Sequence, residues 1–576
     1  MAKNDRIWSW LICGVLIAAA IFIALRNSEK RQQTTEMIPV VPRRSFPFAL
    51  SKTTSTNGAS PITQTEESTQ PIHEAWPSEH LASQANARFK RLKNWLVQRD
   101  SSKTPSDWPD AFLETLTDGI SDSLSIRASF KIVRLQEVTA SRFEMTVQAE
   151  LAYPMDSPTH QRNSRWHCTW NVEGDRTLWV VSAERVFQEE VSASHATPRF
   201  EDVTGSVLVD HSSQHTVGID AWSQRLTRID EMTLQGHHGL AVGDVNGDGL
   251  DDLYVCDGGG LPNRLYLQKA DGTLDDVSSE SKTDWLESSS AALLVDLDND
   301  GDQDLVVATI PLILFSENIG SGRFQFRGGH EAVSSAYTLA AADFDSDGDL
   351  DVYATNYSGR AGEKMGSRGF EAQAPMPFHN ANNGGRNALL ENRGNFQFVD
   401  ATERVGLDEN NRRFSFSAAW EDADNDGDQD LYVANDFGRN NLYQNNNGHF
   451  KDVAAAMNVE DTGAGMSVDW ADCNHDGRMD VYVGNMFSAA GNRVTFQEQF
   501  IGQREAGVVA DVQRMARGNS LFLGSEEGGF RDVSIEAGVS IGQWAWSAAF
   551  VDFNNDGWQD LIVANGYLTN RRADDL

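Results

Sequence analysis

The sequence predicts a mainly β protein built as an array of small four-stranded sheets, and three observations carry that reading. A phrase of the form D-x-[DN]-x-D-G-x-x-D recurs six times, beginning at Asp244, Asp296, Asp343, Asp422, Asp472 and Asp552. Each copy is led by a short run of small apolar residues, such as LAVG or LAAA, and runs straight into a β-branched or aromatic tail: LYV, LVV, VYA, LYV, VYV, LIV. Two further strand-like phrases fall between the copies. One opens on Asn (NRLYLQ at 263–268, NALLEN at 387–392, NLYQNN at 441–446, NSLFLG at 519–524), and one closes on Asp (LDDV at 274, FVDA at 398, FKDV at 450, FRDV at 530). The copies start 52, 47, 79, 50 and 80 residues apart, a period near fifty with two insertions, at 357–386 and 488–517. Four short antiparallel strands per fifty residues is the blade of a β-propeller, whose small inner-strand side chains suit the crowded centre.

Within each copy, oxygen-bearing side chains stand at positions 1, 3, 5 and 9. They are Asp244, Asn246, Asp248 and Asp252; Asp296, Asp298, Asp300 and Asp304; Asp343, Asp345, Asp347 and Asp351; Asp422, Asp424, Asp426 and Asp430; Asp472, Asn474, Asp476 and Asp480; Asp552, Asn554, Asp556 and Asp560. Alternating carboxylates converge on one point, and Gly at position 6 permits the sharp turn, which is the opening of a hard-cation loop. Position 12 is apolar (Val255 in the first copy) and the flanks read as strands, so this is not the helix-flanked loop that closes on a Glu. An all-oxygen donor set favours Ca²⁺ over zinc or copper. A single copy reads equally well as a plain Asp/Asn/Gly turn. Six copies hold 21 carboxylates, too many to sit together without cations. The expectation is about six structural Ca²⁺ ions, one per loop, with no catalytic group beside them.

A closing phrase, FEDVTG at 200–205, precedes any loop, so it is expected to complete the last blade and close the ring. Six loop-bearing blades follow directly, and a seventh without a loop is compatible with the spacing. The chain stops soon after the sixth loop, so the reading expects a longer protein. The insertion at 357–386 reads as an irregular loop. That at 488–517 allows helical pieces and carries Arg493, Arg504, Arg514 and Arg517, which fit either a contact surface or pairing with the abundant carboxylates.

Ahead of the array, Ile7 to Leu25 is an uncharged apolar run long enough to cross a bilayer, giving an N-terminal transmembrane anchor over 1–26. Residues 27–72 are polar, Ser/Thr-rich and unpatterned, as a disordered tether is. Over 73–195 the pattern changes. Leu81, Ala85, Phe89, Leu92, Trp95 and Leu96 fall at helical spacing, Trp108 to Leu116 suggest a second short helix, and strands follow at 128–138, 143–152 and in a hairpin turning at 173–175. That is a small α+β domain, whose aromatic residues read as core rather than as a ligand pocket. His167 is expected on its surface. With a net charge of −36 the chain excludes nucleic acid as a partner. Four scattered cysteines make neither a disulfide framework nor a zinc site. Loops without a closing Glu suit millimolar calcium, which places the bulk of the chain outside the membrane, in the periplasm or at the cell surface.

The loops with their N-x-LY/F and FxDV phrases resemble FG-GAP/VCBS repeats, as in integrin α-chain propellers. AGNRVTFQEQF, ARGNSLFLG and QWAWSAAFVDFNNDGWQDLIVANGYLTN are similar to the cartilage-acidic-protein-like bacterial family. The resemblance covers about 198–576 and implies a calcium-bound propeller, ligated from positions 1, 3, 5 and 9 and used in extracellular binding. The expected role is a membrane-anchored binding, adhesion or protein-interaction module without enzymatic activity, its ligand an unnamed protein or glycan. The alternative is a hydrolase or lyase acting on envelope glycans through the propeller channel, using His237, His238, Trp420, Trp470, Trp544 and Trp546.

Overall fold

A computed structural model describes residues 77–98, 105, 108–121, 123–139, 141–154, 159–173, 177–192, 202–208, 239–257, 261–333, 335–357, 375–502 and 504–565. The expected anchor, the tether, and His237 and His238 lie outside them. No helix among the described residues is long and apolar enough to cross a membrane.

The small domain follows its hydrophobic pattern. Helices Pro77–Gln98 and Asp110–Leu116 pack on strands Arg127–Thr139, Arg142–Pro154, Thr159–Glu173 and Thr177–Ser192, paired antiparallel in chain order. The aromatic residues are core, as expected: Phe89, Trp108, Phe112, Trp166 and Trp170 are buried, their rings in tilted, stacked and edge-on contact. His167 is exposed.

The array is a repeat, β-propeller-like arrangement. Five four-stranded antiparallel sheets and one two-stranded sheet succeed each other, and with the small domain's sheet they make seven among the described residues. In repeat 1 the strands are Leu240–Gly243, Asp252–Val255, Arg264–Gln268 and Leu274–Asp276, and the acidic loop joins the first to the second. Repeat 2, which lacks the Asn-opened phrase, still forms its outer strands at Ile313–Asn318 and Phe324–His330. In repeat 6 the described strands are Ala545–Val551 and Asp560–Asn565. The phrase at 200–205 differs from its expected strand. Its described end, Thr204–Val207, is a helical turn, with Asp202 Oδ1 accepting from the Thr204 N–H at 3.1 Å.

Strand 1 of each repeat packs on strand 1 of the next. That crowding explains the small residues: a Cβ on Gly239 would lie 2.4 Å from Ala291 Cα. The cores lie between repeats rather than within them. Ala241 and Tyr254 of repeat 1 share a cluster with Leu305 and Val307 of repeat 2, and Tyr432 and Leu442 of repeat 4 share one with Val481 and Phe522 of repeat 5. One sheet cannot bury its own apolar faces, so the unit of stability is the pair.

Polar bolts reinforce those pairs. The residue ending strand 3 is Asn318, Asn392 or Asn445 in repeats 2, 3 and 4, each fully buried. Its Nδ2 donates back to the preceding repeat's loop, to Val245 O at 2.8 Å, Leu297 O at 2.8 Å and Phe344 O at 2.9 Å.

The second insertion forms three helices, Ala489–Val494, Glu498–Ile501 and Ala506–Arg517, and its arginines are spent inside the chain. Arg514 pairs with the buried Asp461 at 2.7 Å, and Arg517 with Asp532 at 2.7 Å. Arg493 reaches the small domain, donating to both Glu79 oxygens (3.0 and 2.7 Å) and to Ile132 O at 2.9 Å. Lys131 lies over the Phe487 ring and Arg134 over Phe496, at 4.9 and 4.8 Å from the centroids. The first insertion, in its described part from 375, holds only a helical turn at Phe378–Asn380.

Replacing Asn392 by alanine removes the amide donor from the Leu297 and Leu350 carbonyls, so thermal or denaturant unfolding is expected to show a loss of about 1–3 kcal/mol. Gln325→Ala, at an exposed strand side chain outside the bolt, serves as the comparison. Replacing Arg493 by alanine is expected to raise hydrogen exchange along 127–139, the strand facing the insertion, while 142–154 keeps its protection.

Candidate metal centre

Each acidic loop is a backbone circuit wound around its first aspartate. Asp244 Oδ1 accepts from the N–H groups of Gly247 (2.8 Å) and Asp248 (3.1 Å), and its Oδ2 from Gly249 (2.8 Å). Asp343, Asp422, Asp472 and Asp552 accept in the same way from positions 5 and 6, and Asp296 from position 6. The winding requires left-handed backbone at position 6, where every residue is Gly with φ between 81° and 95°. Position 4 is left-handed too, at Gly247, Asn299, Ser346, Asn425, His475 and Asn555. No side-chain rule on positions 1, 3, 5 and 9 reveals that fourth position, although its Gly and Asn bias is a visible signal.

The structure brings the carboxylates together most closely in three loops. Asp296, Asp298 and Asp300, then Asp343, Asp345 and Asp347, then Asp422, Asp424 and Asp430 each offer oxygens within 4.8 Å of one another. In the first, fifth and sixth loops position 3 is the amide of Asn246, Asn474 or Asn554, whose Oδ1 accepts the N–H of position 5 at 2.8–2.9 Å. The fifth loop differs again, because Arg478 holds Asp476 Oδ2 at 2.8 Å. The donor set fits a hard cation on one further observation. Asp296 Oδ1, Asp298 Oδ1 and Asp345 Oδ1 are buried and accept no hydrogen bond. A buried acceptor without a donor is costly, and a divalent cation removes that cost. Burial, then the neighbouring carboxylates, raise the Asp298 and Asp345 carboxyls above their ordinary range.

Position 9 does something the spacing did not announce. Asp252, Asp304, Asp351, Asp430 and Asp480 are at most 1 % exposed. One oxygen accepts the N–H of position 2 in the loop (Val245, Leu297, Phe344, Ala423, Cys473) at 2.9–3.3 Å. The other accepts the N–H of the residue ending strand 3 (Gln268, Asn318, Asn392, Asn445, Gly524) at 2.7–2.9 Å. Each of these aspartates therefore fastens loop, strand 2 and strand 3 together, whether or not it also faces a cation. Burial pushes Asp304, Asp351 and Asp430 up to about 7 despite those bonds.

Of the aromatic residues considered for a sugar-binding channel, Trp470 is buried between repeats and Trp420 is partly buried against the neighbouring core cluster. Trp546 lies at the far end of strand 1 from the loops.

Fold and site together define a β-propeller-like repeat protein whose inter-strand loops are acidic, three of them gathering carboxylates that could hold a metal ion. The chain carries FG-GAP-like repeats, matched at residues 244–307, 296–354, 422–483 and 508–563. It is similar to Cartilage acidic protein 1 of Xenopus tropicalis, 31 % identical over 167 residues, which are 27 % of this chain and 26 % of that protein. Against the Homo sapiens protein of the same name it is 28 % identical over 133 residues, 22 % of this chain and 20 % of that one. The chain thus spans about a quarter of the length of the curated relatives it matches. Among solved structures, an Agrocybe aegerita lectin recognising non-reducing terminal N-acetylglucosamine aligns over 58 % of this chain and 75 % of its own, at 15 % identity and a TM-score of 0.32.

For the metal-free protein the sign of the pH dependence follows from the raised carboxyls. A folded-state value of about 7 against an ordinary 3.8 means stability is fully present below about pH 4 and lost as pH rises towards 7. Melting in chelator is expected to fall between pH 5 and pH 8 on this account, measured by calorimetry, and millimolar Ca²⁺ should abolish most of that fall.

Proposed function

We propose that this protein is a membrane-anchored, extracytoplasmic calcium-binding module, whose propeller-like array recognises a protein or glycan partner. The observation that carries the calcium part is the trio of buried carboxylate oxygens in loops 2 and 3 that no proton donor reaches. When bound, Ca²⁺ supplies neutralisation of loop charge and a fixed loop conformation. The chain's own residues do the rest. Positions 1, 3 and 5 present oxygens, position 9 holds the loop against strands 2 and 3, and the asparagine bolts hand that order to the adjoining repeat. The anchor over 1–26 and the low-affinity form of the loop support a site outside the membrane, where calcium is millimolar. The relatives' names are not those of enzymes, which supports a binding role over a catalytic one.

Full-length protein in detergent, immobilised and exposed to glycans and solubilised envelope proteins of its source, is expected to retain a partner in millimolar Ca²⁺ and release it in EGTA. Retention indifferent to EGTA would remove calcium from the recognition step. Asp298→Asn with Asp345→Asn is expected to cut the calcium-induced rise in melting temperature markedly. Glu526→Gln, at an exposed side chain on another repeat, should leave that rise unchanged.

A further inference from the structure

A single file of hydrogen bonds runs through four of the six acidic loops. In loop 1 the Val245 N–H donates to Asp252 at 3.1 Å, and the Val245 carbonyl accepts from Asn318 Nδ2 at 2.8 Å. The Asn318 N–H donates in turn to Asp304 of loop 2 at 2.8 Å, and Asp304 also accepts from the Leu297 N–H at 2.9 Å. The same step repeats twice. Leu297 O accepts from Asn392, whose N–H serves Asp351, and Phe344 O accepts from Asn445, whose N–H serves Asp430. Val245, Leu297, Phe344 and the three asparagines are all buried, so water does not compete for these bonds.

Each asparagine is held at every polar atom of its side chain. Its Oδ1 accepts from the N–H of Gly320, Gly394 or Gly448 at 2.8–3.1 Å. Its Nδ2 also reaches the carbonyl of Gln303, Leu350 or Gln429, position 8 of its own loop, at 3.1–3.3 Å. A side chain fixed in this way cannot turn without breaking several bonds, so a displacement at one loop is passed to the next. The file also touches the metal-facing part of each loop, because its carbonyl residue is position 2, between the oxygens of positions 1 and 3. Drawing positions 1 and 3 onto one cation fixes the peptide at position 2. That peptide holds the next bolt, and the bolt holds positions 8 and 9 of the next loop. Ordering one loop therefore lowers the ordering left to its neighbour, which is a positive coupling between sites. Loops 2 and 3 are joined directly as well, since Asn299 Nδ2 donates to Gly348 O and Asp349 Oδ1 at 3.2 and 2.9 Å. The three loops whose carboxylates gather most closely, 2, 3 and 4, all lie on this file.

The file stops after loop 4. Gly524 stands at the end of strand 3 in repeat 5, so its N–H still serves Asp480 at 2.9 Å but no amide side chain reaches back to loop 4. A Cβ there would lie 2.9 Å from Met479 O, too close for any side chain without a backbone shift. Loops 5 and 6 meet through a different contact, the stacked rings of His475 and Trp558, 4.1 Å apart.

We propose that calcium enters loops 1 to 4 as one cooperative block, with Asn318, Asn392 and Asn445 as its positioning residues, and that loops 5 and 6 fill outside it. This coupling rests on the calcium reading of the loops and adds to it a division that the repeat pattern alone does not mark.

The test is hydrogen exchange followed loop by loop across a calcium titration of the full-length protein in detergent. Salt is kept at 0.15 M, where repulsion between neighbouring ions is screened beyond about 8 Å. Loop 4 is disabled by Asp424→Asn with Asp426→Asn, which removes two carboxylates and keeps Asp422, around which the loop is wound. This change is expected to raise the calcium midpoint for protection of loop 2, two repeats away, about fivefold or more, and to leave the midpoint of the adjoining loop 5 in place. In an Asn445→Ala background, which cuts the file between loops 3 and 4, disabling loop 4 is expected to move loop 2 no further. A purely structural role for Asn445 would lower protection everywhere and leave that dependence intact. Protection indifferent to calcium in every loop would remove the calcium reading and the block with it. Calcium-dependent protection whose loop 2 midpoint stays in place when loop 4 is disabled would overturn the block alone. So would a shift in loop 5 equal to that in loop 2, or a loop 2 shift undiminished by Asn445→Ala. If Asn445→Ala loses its folded circular-dichroism signal, the contrast between loops 2 and 5 decides.

Discussion

The interaction on which the array depends is a buried carboxylate bonded at both oxygens to backbone. Asp252, Asp304, Asp351, Asp430 and Asp480 each take one N–H from the acidic loop and one from the end of strand 3. A β-hairpin alone is marginal in water, and a third strand gains little while its end is free. The aspartate closes that gap. It converts a hairpin, a loop and a neighbouring strand into one unit, and it places loop positions 1, 3 and 5 on a fixed base. The price is a charge held in the interior, tolerable because charge-assisted bonds to N–H groups are strong.

Around those units, apolar burial is shared across boundaries. Every core cluster in the array mixes residues of neighbouring repeats, so a repeat excised from its neighbours would expose Tyr, Val and Leu that are fully buried in place. The small domain joins through different chemistry. A bidentate Arg493–Glu79 pair and two cation–ring contacts, to Phe487 and Phe496, hold it to the second insertion and the residue before it, a more polar junction than the seams between repeats. The two halves of the described chain are therefore held by forces that respond differently to salt and temperature.

Much of this was legible before any coordinates. The loops, their β-tails and the Asn- and Asp-marked strands are local patterns, and local patterns fix hairpins. The small domain's helices and strands were equally visible, since amphipathic spacing encodes which face is buried. Repeat 2 hid its outer strands because ILFSEN carries its Asn at the end, not the start. The double role of position 9 was invisible for another reason: a buried hydrogen-bonded Asp and a metal-facing Asp look alike in sequence. The fate of Arg493, Arg514 and Arg517 needed contacts with Glu79, Asp461 and Asp532, up to 414 residues away along the chain.

The direction of the asparagine bolts has a consequence for how such a chain is made. Asn318, Asn392 and Asn445 all reach backwards, from a later repeat to the loop of an earlier one. As the polypeptide leaves the ribosome, each sheet emerges before the residue that will secure its loop. A repeat therefore waits, incompletely fastened, until its successor has been translated, and the assembly line finishes each piece one step behind the piece being built.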